Sequence, residues 1–465
     1  MGIALLILYG LAIMKVATSS RSADTKTTFF LNGRTSSALG IGLSIVVSCV
    51  GASATMGMIG LAYTVGTPAF WWLGGGAIGL TLLSVLIAQK VREAGVYTMP
   101  QLVEHFLGAP ARPLVAFLIV LAWTAILAAQ FVAISKVIWA LTAFPPLLCS
   151  LIGFILIVAH AFGGLASIMR TDKLQTTIMI GALLILLAWL TNHNPDWIAT
   201  TPMEAYNKDF PPSRLFYFIL IVGANYLVCP TLFNRFLSAK NSTSARLGGM
   251  VAVVGLLVCA FLIVSIGLAC KGLLPVGTSP DDILTTALVH ILPQWMNWLI
   301  CIALISTIVS SADSCLITAS TVLTNDIIKI THLRVTRLCV FAFGCLGLAI
   351  SLWGKSILDF LFMAYDVYAC GVVMPVFLGI LLNKSHTIDT RFACLAIILG
   401  GGCGIVASFT QLSSLSYAGM ALSALFVLAG ARKKAIPSHV APDFHSSTPC
   451  QKRNEYTVDS SKALL

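Results

Sequence analysis

The stretch Ser48-Cys-Val-Gly-Ala-Ser-Ala-Thr-Met-Gly57 interrupts an apolar run that extends from residue 38 to residue 62. The two ends of this run are typical of a membrane helix, but its middle consists of small and polar residues that form helices poorly. Two interpretations fit this composition. In the first, the helix is discontinuous, and its freed carbonyl groups bind a cation while a half-helix end faces a solute. In the second, the small residues allow two helices to pack closely.

The rest of the chain is as apolar as this run. Its 465 residues are 58% hydrophobic and 10% charged, and the mean hydropathy is +0.94. Because a soluble domain needs a polar exterior, this composition indicates an integral membrane protein. The 13 cysteines lie mostly in apolar runs without CxxC spacing, so we interpret them as small buried hydrophobic residues.

Runs of about 20 mainly apolar residues predict thirteen transmembrane helices. The predicted helices 1 to 13 cover residues 2–18, 38–62, 67–89, 113–141, 146–168, 172–191, 213–236, 247–270, 294–325, 335–353, 356–382, 391–409 and 413–431. The segment 433–465 is rich in polar residues and proline, so we predict that it is a disordered cytoplasmic tail.

The positions of Lys and Arg predict the orientation in the membrane. If the amino terminus is outside, 22 of the 28 Lys and Arg residues, Arg235 among them, fall in segments on the inside, and four fall outside. An excess of positive charge marks cytoplasmic segments. We therefore expect a bacterial inner-membrane protein with its carboxyl terminus in the cytoplasm. The net charge of +11 is spread over these loops, which argues against a nucleic-acid partner.

Predicted helix 7 contains a second interruption, Gly223-Ala-Asn-Tyr-Leu-Val-Cys-Pro-Thr231, in which Pro230 lacks a backbone N–H and frees a carbonyl group. The two interruptions begin two blocks of five helices, 38–191 and 213–382. Because each block holds an odd number of helices, the second starts on the opposite side of the membrane, which predicts an inverted repeat. Residues 1–37 form a first helix with a cytoplasmic loop, and residues 383–432 form two carboxyl-terminal helices. An outer loop and the second repeat together form the unit 192–382.

Predicted helix 9 contains Ser310-Ser-Ala-Asp-Ser314. Ser310 and Ser314 lie on one helix face, with Ser311 beside them. Hydroxyl and carbonyl oxygens are hard ligands, and they suit a hard cation such as sodium. This cluster therefore predicts a cation site.

Three acidic residues, Asp172, Asp313 and Asp366, lie within predicted membrane helices, where a charge is costly and usually functional. Asp172 opens predicted helix 6, so a second interpretation is that the helix dipole stabilises it there. We expect Asp366 to receive a cationic or zwitterionic solute or to exchange a proton. No GxxxxGK[ST] motif or nucleophile–base arrangement occurs, so we expect neither ATP coupling nor an enzyme, and no catalytic residues.

Between about residues 28 and 430 the chain resembles the sodium:solute symporters. Three motifs carry the resemblance: Phe29-Phe-Leu-Asn-Gly-Arg34, Gly163-Gly-Leu-Ala-Ser-Ile-Met-Arg-Thr-Asp-Lys-Leu-Gln175, and Ser310–Ser314 followed by Thr324-Asn-Asp326. The resemblance implies an all-α polytopic membrane protein with a LeuT-type fold. In this fold, predicted helices 2–11 form the repeat of five plus five helices.

The resemblance also implies the site residues. The sodium ligands would be the carbonyl oxygens of Ala52, Thr55 and Thr307 and the hydroxyl oxygens of Ser310 and Ser311. A second cation site, found in some members, would involve Asp172, Asp313 and Ser314, although members that use it have Ser where this chain has Asp313. The residues expected to bind the solute are Ser53, Ala54, Gln130, Asn225, Tyr226, Pro230 and Asp366.

We therefore expect a sodium-coupled symporter that imports a small organic solute, of the amino acid or carboxylate class, by alternating access. Sodium would be the co-transported ion, no organic cofactor is expected, and the protein would work as a monomer in the lipid bilayer. Two alternatives remain. One is a proton-coupled carrier on the same scaffold, and the other is a sensor or channel that has lost coupled transport.

Overall fold

The computed structural model describes residues 2–19, 25–275, 277–330, 332–383 and 385–433, and almost all of them are helical. The predicted disordered tail lies outside the described residues, apart from its first position. The two described strands, His386–Ile388 and Ala431–Lys433, form a small antiparallel ribbon at the base of the last two helices.

Within the described residues, nine helices are long and apolar enough to cross a membrane, and the number is ten if a bent pair of helices is counted as one span. The nine helices are Thr67–Glu93, Ala111–Thr142, Gly164–His193, Pro212–Leu237, Ser242–Ala269, Gln294–Ile327, Leu333–Ser351, Ile357–Leu382 and Thr390–Thr410. Three further apolar helices are shorter, namely Gly2–Lys15, Pro146–Ala161 and Ser413–Ala429. The count of thirteen crossings depends on these three and stays a prediction.

Short helices connect the spans. They are Lys26–Leu31, Asn32–Arg34, Met99–Leu107, Trp197–Thr200, Pro280–Asp282 and Ile283–His290. Several long spans also contain a wider, π-helical turn, at Ser53–Gly57, Leu83–Ile87, Phe218–Val222, Leu323–Ile327 and Ala369–Val373. Such turns locally shift the helix face and often occur at functional sites.

The bent pair confirms that the helix over 38–62 is discontinuous. Its halves, Ala38–Cys49 and Ser53–Val65, meet at an angle of 58°, and we call them together the broken helix. The first half ends where Val50 leaves helical geometry (φ −93°, ψ 50°). The bend therefore lies in the stretch of small residues that opened the sequence analysis.

A second interruption lies in Pro212–Leu237, which we call the proline helix. Val228 (φ −133°, ψ 72°) and Cys229 leave helical geometry. Pro230 then begins the next helical segment, a position that tolerates its missing N–H. The hydroxyl of Tyr368 donates a 2.6 Å hydrogen bond to the carbonyl oxygen of Val228. A carbonyl group freed by this interruption thus binds a side chain of the protein.

The helix Gln294–Val322, which a π-helical turn extends to Ile327, lies at the centre of the molecule. Of its most apolar window, 94% is buried, a larger share than in any other described span. We call it the central helix. It packs against the broken helix, the long helix Ala111–Thr142 and the helix Gly164–His193, so its polar residues face protein.

One predicted boundary was wrong. Predicted helix 6 begins at residue 172, but the structure begins this helix at Gly164, whose positive φ of 71° follows from the Gly163-Gly164 turn. Asp172 consequently lies more than two turns inside the helix, where its side chain is fully buried. The interpretation of Asp172 as a helix-start carboxylate is therefore excluded, because the dipole effect is confined to the first turn.

Candidate functional site

The bend of the broken helix lies directly against the central helix. A Cβ atom on Gly51 would lie 2.6 Å from the Cβ of Ser311, so only glycine permits this approach. The Ser311 hydroxyl donates a 2.8 Å hydrogen bond to the carbonyl oxygen of Ser48, two residues before Val50, where helical geometry ends. The structure therefore brings the two polar stretches found in the sequence together.

The residues predicted to bind sodium are all buried in this region. The hydroxyl of Thr55 donates to the carbonyl of Gly51 (2.8 Å), and that of Thr307 donates to the carbonyl of Leu304 (2.9 Å). Both threonine hydroxyls thus bond to a backbone carbonyl within four residues of their own position, and the role of their backbone carbonyls as sodium ligands stays a prediction. Ser310 donates to Asp172 Oδ1 at 2.6 Å, so its oxygen keeps lone pairs for a cation.

The carboxylates predicted for a second cation site have partners within the protein. Asp172 accepts hydrogen bonds from the hydroxyls of Ser44 and Ser310. Asp313 pairs with Nδ1 of His160, whose Nε2 lies 3.1 Å from the Thr171 hydroxyl. These side chains are fully or almost fully buried. The two carboxylates are therefore held by different groups.

Arg235 is a buried charged residue beside the predicted cation sites, and the sequence analysis did not single it out. Its side chain is 1% exposed, and its Nη2 atom lies 3.8 Å from Asp172 Oδ2. The charge count had placed Arg235 in a cytoplasmic segment at the end of predicted helix 7. The signal that could have found it is its place in Phe233-Asn-Arg-Phe-Leu237, where apolar side chains surround a single charge.

A cavity of about 80 Å³ opens at the two helix breaks. Four residues predicted to bind the solute line it, namely Ser53, Gln130, Asn225 and Tyr226. The other lining residues are Ser48, Cys49, Gly51, Trp123, Ile126, Cys229, Thr231, Leu232, Ser311, Cys315, Leu361 and Tyr365. None of these described lining residues is Asp, Glu, Lys, Arg or His. We call this space the central cavity.

Two amide side chains of the central cavity also stabilise its walls. Gln130 Oε1 accepts a 3.1 Å hydrogen bond from the backbone N–H of Ala52 and so satisfies a donor at the bend. The amide nitrogen of Asn225 donates to the carbonyl oxygens of Ile221 (2.7 Å) and Tyr365 (3.3 Å). Asn225 thereby joins the proline helix to the helix Ile357–Leu382 beside the cavity.

The structure does not bring Ala54, Pro230 or Asp366 to the central cavity. Asp366 lines a second cavity of about 540 Å³, where its Oδ1 accepts hydrogen bonds from the hydroxyls of Tyr217 (2.8 Å) and Ser416 (2.7 Å). Successive side chains on a helix point about 100° apart, so Tyr365 faces the central cavity while Asp366 faces away from it. The expectation that Asp366 contacts a solute beside Tyr226 therefore needs correction.

The long helix carries one ion-pair cluster near each end. Near its beginning, Arg112 binds Asp326 (2.9 Å) and Glu104 (2.8 Å), and Arg112 also donates to the carbonyl oxygen of Asn325 at 2.8 Å. Asp326 belongs to the third sequence motif. This cluster ties the end of the central helix to the long helix.

Near the other end of the long helix, Lys136 binds Asp282 at 2.7 Å and lies 4.0 Å from Asp281. Asp281 accepts a 2.9 Å hydrogen bond from the N–H of Ile357, at the start of the next helix. Burial raises the pKa of Asp281 above the usual value, while the Ile357 N–H and Lys136 act in the opposite direction. The connecting segment 271–293 is thus attached to two helices.

Residues 29–337 match the family model described as the Sodium:solute symporter family. Among curated relatives, the High-affinity choline transporter 1 of Torpedo marmorata is 25% identical over 396 residues, which are 78% of this chain and 67% of that protein. The Sodium/myo-inositol cotransporter 2 of Bos taurus is 25% identical over 385 residues, which are 71% of this chain and 56% of that protein. The chain thus spans little more than half the length of this cotransporter.

Solved structures with the same architecture are sodium- or cation-coupled transporters. The substrate-bound outward-open state of a Na+-coupled sialic acid symporter has a TM-score of 0.79, with 15% identity, and the alignment covers 93% of this chain and 99% of that one. Mhp1, a nucleobase-cation-symport-1 family transporter, has a TM-score of 0.62, with 14% identity over 86% of this chain and 93% of its own. At these identities the likeness shows the fold, which is the LeuT fold expected from the sequence.

Proposed function

Because the chain belongs to the sodium:solute symporter family, whose members are transporters and not enzymes, we propose that it imports a small organic solute together with sodium by alternating access. The observation that carries this proposal is the contact between the bend of the broken helix and the serines of the central helix. It places bent backbone, buried hydroxyl groups and a cavity in one region. A discontinuous helix beside a midplane cavity is the usual construction of a transporter site.

For the ion, we propose a single site between the broken helix and the central helix. Its ligands are the carbonyl oxygens of Ala52, Thr55 and Thr307 and the hydroxyl oxygens of Ser310 and Ser311. In support, the hydroxyls of Thr55 and Thr307 bond within their own helices, whereas the protons of Ser310 and Ser311 point to acceptors on other segments. Oxygen atoms that donate their protons away present lone pairs to a cation, and five hard oxygens suit sodium.

For the solute, we propose the central cavity, with Ser53, Gln130, Asn225 and Tyr226 as contacts. An amino acid or carboxylate would place its negative group at the start of the second half of the broken helix. The first N–H groups of a helix have no partner inside it and attract anions. The relatives named above carry choline, myo-inositol and sialic acid, which differ in charge, so the family alone does not select among solutes.

For the conformational cycle, we propose that the two ion-pair clusters of the long helix close the two sides in turn. Arg112 with Asp326 would close the cytoplasmic side, and Lys136 with Asp282 would close the outer side. Both clusters are formed in this structure, and opening of either side would break the cluster on that side. The proposed arrangement has thirteen crossings with an inverted repeat over 38–191 and 192–382. The amino terminus lies outside a bacterial inner membrane, and the protein works as a monomer.

Uptake into proteoliposomes tests this proposal. A panel of labelled amino acids, carboxylates, polyols and quaternary amines is supplied while sodium and pH gradients are imposed separately. We expect uptake only with an inward sodium gradient, and uptake that follows the pH gradient alone would support the proton-coupled alternative. Solute flux that depends on neither the sodium gradient nor the pH gradient would favour the channel alternative.

Two variants test the ion site in the same assay. Ser310→Ala should raise the sodium concentration needed for half-maximal uptake, because it removes a proposed ligand. Thr321→Ala, which removes a buried hydroxyl from the same helix about three turns farther on, serves as the matched control. Equal effects of the two substitutions would refute the site.

A further inference from the structure

A positively charged side chain, that of Arg235, lies beside the proposed ion site, where it approaches Asp172 and binds Ser48. Arg235 is 1% exposed, and Asp172 beside it is fully buried. A guanidinium group stays protonated in proteins, so a full positive charge is permanently present at this position. A buried charge of this kind persists only when other groups compensate for it.

Oxygen atoms of three other helices surround the guanidinium group. Its Nη2 atom donates to Ser314 Oγ at 2.5 Å and to Ser48 Oγ at 2.8 Å. Its Nε atom donates to Ser44 Oγ at 3.2 Å. With Asp172 at 3.8 Å, three hydroxyl groups and one carboxylate face the positive charge. We call this space the serine pocket.

The serine pocket coincides with the second cation site that the resemblance implied. Two of the three residues named for that site, Asp172 and Ser314, now face the guanidinium group of Arg235. The third, Asp313, turns toward His160. The residues present therefore do not fit a second transported ion, because their oxygen atoms are already used within the protein.

Electrostatic repulsion also disfavours a second sodium ion in the serine pocket. A sodium ion among Ser44, Ser48, Ser314 and Asp172 would lie within a few bond lengths of the guanidinium charge, in a buried region where repulsion between like charges is strong. Asp172 is shared, because it also accepts from Ser310 of the proposed sodium site. The positive charge of Arg235 thus balances the negative charge of Asp172, and this cation stays in the protein instead of being transported.

We propose that Arg235 permanently occupies the second cation position, so that the protein couples transport to one sodium ion. The arginine acts as a tethered cation that keeps the serine pocket neutral throughout the cycle. This inference rests on the proposed function only in assuming that a sodium site exists between the broken helix and the central helix.

Equilibrium binding of radioactive sodium to the purified full-length protein tests the inference without knowledge of the solute. We expect one sodium ion per wild-type protein. Two ions would overturn this inference and leave the proposed function intact. The absence of sodium binding would overturn both.

Substitution of Arg235 gives the second arm of the test. Arg235→Ala empties the serine pocket and should raise the number of bound sodium ions from one to two, whereas Arg235→Lys keeps the charge and should leave it at one. Free guanidinium ion should displace the additional sodium from Arg235→Ala. If Arg235→Ala binds a single ion, the serine pocket is not a cation position and the inference fails. If Arg235→Ala does not fold, Arg235→Gln removes the charge while keeping a hydrogen-bonding side chain, and the same two outcomes apply to it.

Discussion

Ser311 of the central helix donates a hydrogen bond of 2.8 Å to the carbonyl oxygen of Ser48 in the broken helix. This bond joins residues that are 263 positions apart in the chain, and it lies at the bend where the proposed sodium site and the central cavity meet. Sodium bound among these groups would hold the two helices together. The ion would therefore control whether the bend and the cavity beside it are ordered for a solute.

The first prediction concerns Gly51. Gly51→Ala would place a Cβ atom 2.6 Å from the Cβ of Ser311, and overpacking of this kind costs about 1–3 kcal/mol. We expect a lower thermal stability in detergent and loss of sodium-dependent uptake. Gly181→Ala is the control, since nothing lies within 4 Å of the added atom, and alanine favours the helix by up to about 1 kcal/mol. Wild-type transport by Gly51→Ala would show that the close approach is unimportant.

The second prediction concerns the acceptor at the bend. Gln130→Ala removes the oxygen that accepts from the Ala52 N–H, and a buried donor left without a partner costs about 1–3 kcal/mol. Because the bend also supplies proposed sodium ligands, apparent sodium affinity should fall together with stability. Gln101→Ala, on the short helix Met99–Leu107, also removes an acceptor of a backbone N–H, that of Tyr97, but this bond is exposed and water can replace it, so neither property should change. A variant with reduced solute affinity but unchanged sodium affinity would indicate that Gln130 contacts only the solute.

The third prediction separates the two cavities. Asn225→Ala should raise the solute concentration for half-maximal uptake, since Asn225 lines the central cavity and joins its walls. Asp366→Asn should leave this value within about twofold, less than 0.5 kcal/mol, because Asp366 lines the second cavity and Asn can still accept from Tyr217 and Ser416. A large loss of solute affinity in Asp366→Asn would return Asp366 to the solute site.

The fourth prediction compares the two ends of the long helix. Arg112→Met leaves the fully buried carboxylate of Asp326 without its ion-pair partner, and such a loss costs about 3–5 kcal/mol. Lys136→Met disrupts a pair whose side chains are 30% and 44% exposed, and pairs of this kind contribute about 1 kcal/mol or less. Thermal unfolding of the purified variants should therefore show a much larger decrease for Arg112→Met. Equal decreases would show that solvent screens both pairs similarly.

The fifth prediction concerns the interruption of the proline helix. Tyr368→Phe removes the donor to the Val228 carbonyl oxygen, a buried acceptor whose loss of partner costs about 1–3 kcal/mol. We expect lower stability and slower uptake. Tyr97→Phe alters a tyrosine that is 36% exposed and should have no effect on either. Unchanged stability in Tyr368→Phe would mean that the freed carbonyl finds another donor.

Some features of the site were predictable because they depend on local sequence. The bend at 48–57 follows from a run of small residues with poor helix propensity, and the π-helical turn and the 58° angle agree with it. The sequence analysis also singled out the cluster Ser310–Ser314, and its side chains are buried in the structure. The start of the helix at Gly164 was missed, because the pair Gly163-Gly164 lies inside the apolar run that predicts helix 5.

By itself, the sequence determined that the chain crosses a membrane many times, which stretch of one helix is unusual, and which family the chain resembles. These properties depend on composition and spacing within short windows, where backbone propensity and hydropathy act directly. The tertiary structure decided which polar groups meet. Arg235 pairs with residues of three other helices, and Asp366 turns away from the cavity that its neighbour Tyr365 lines, because rotation about each helix axis and packing between distant segments depend on the whole fold.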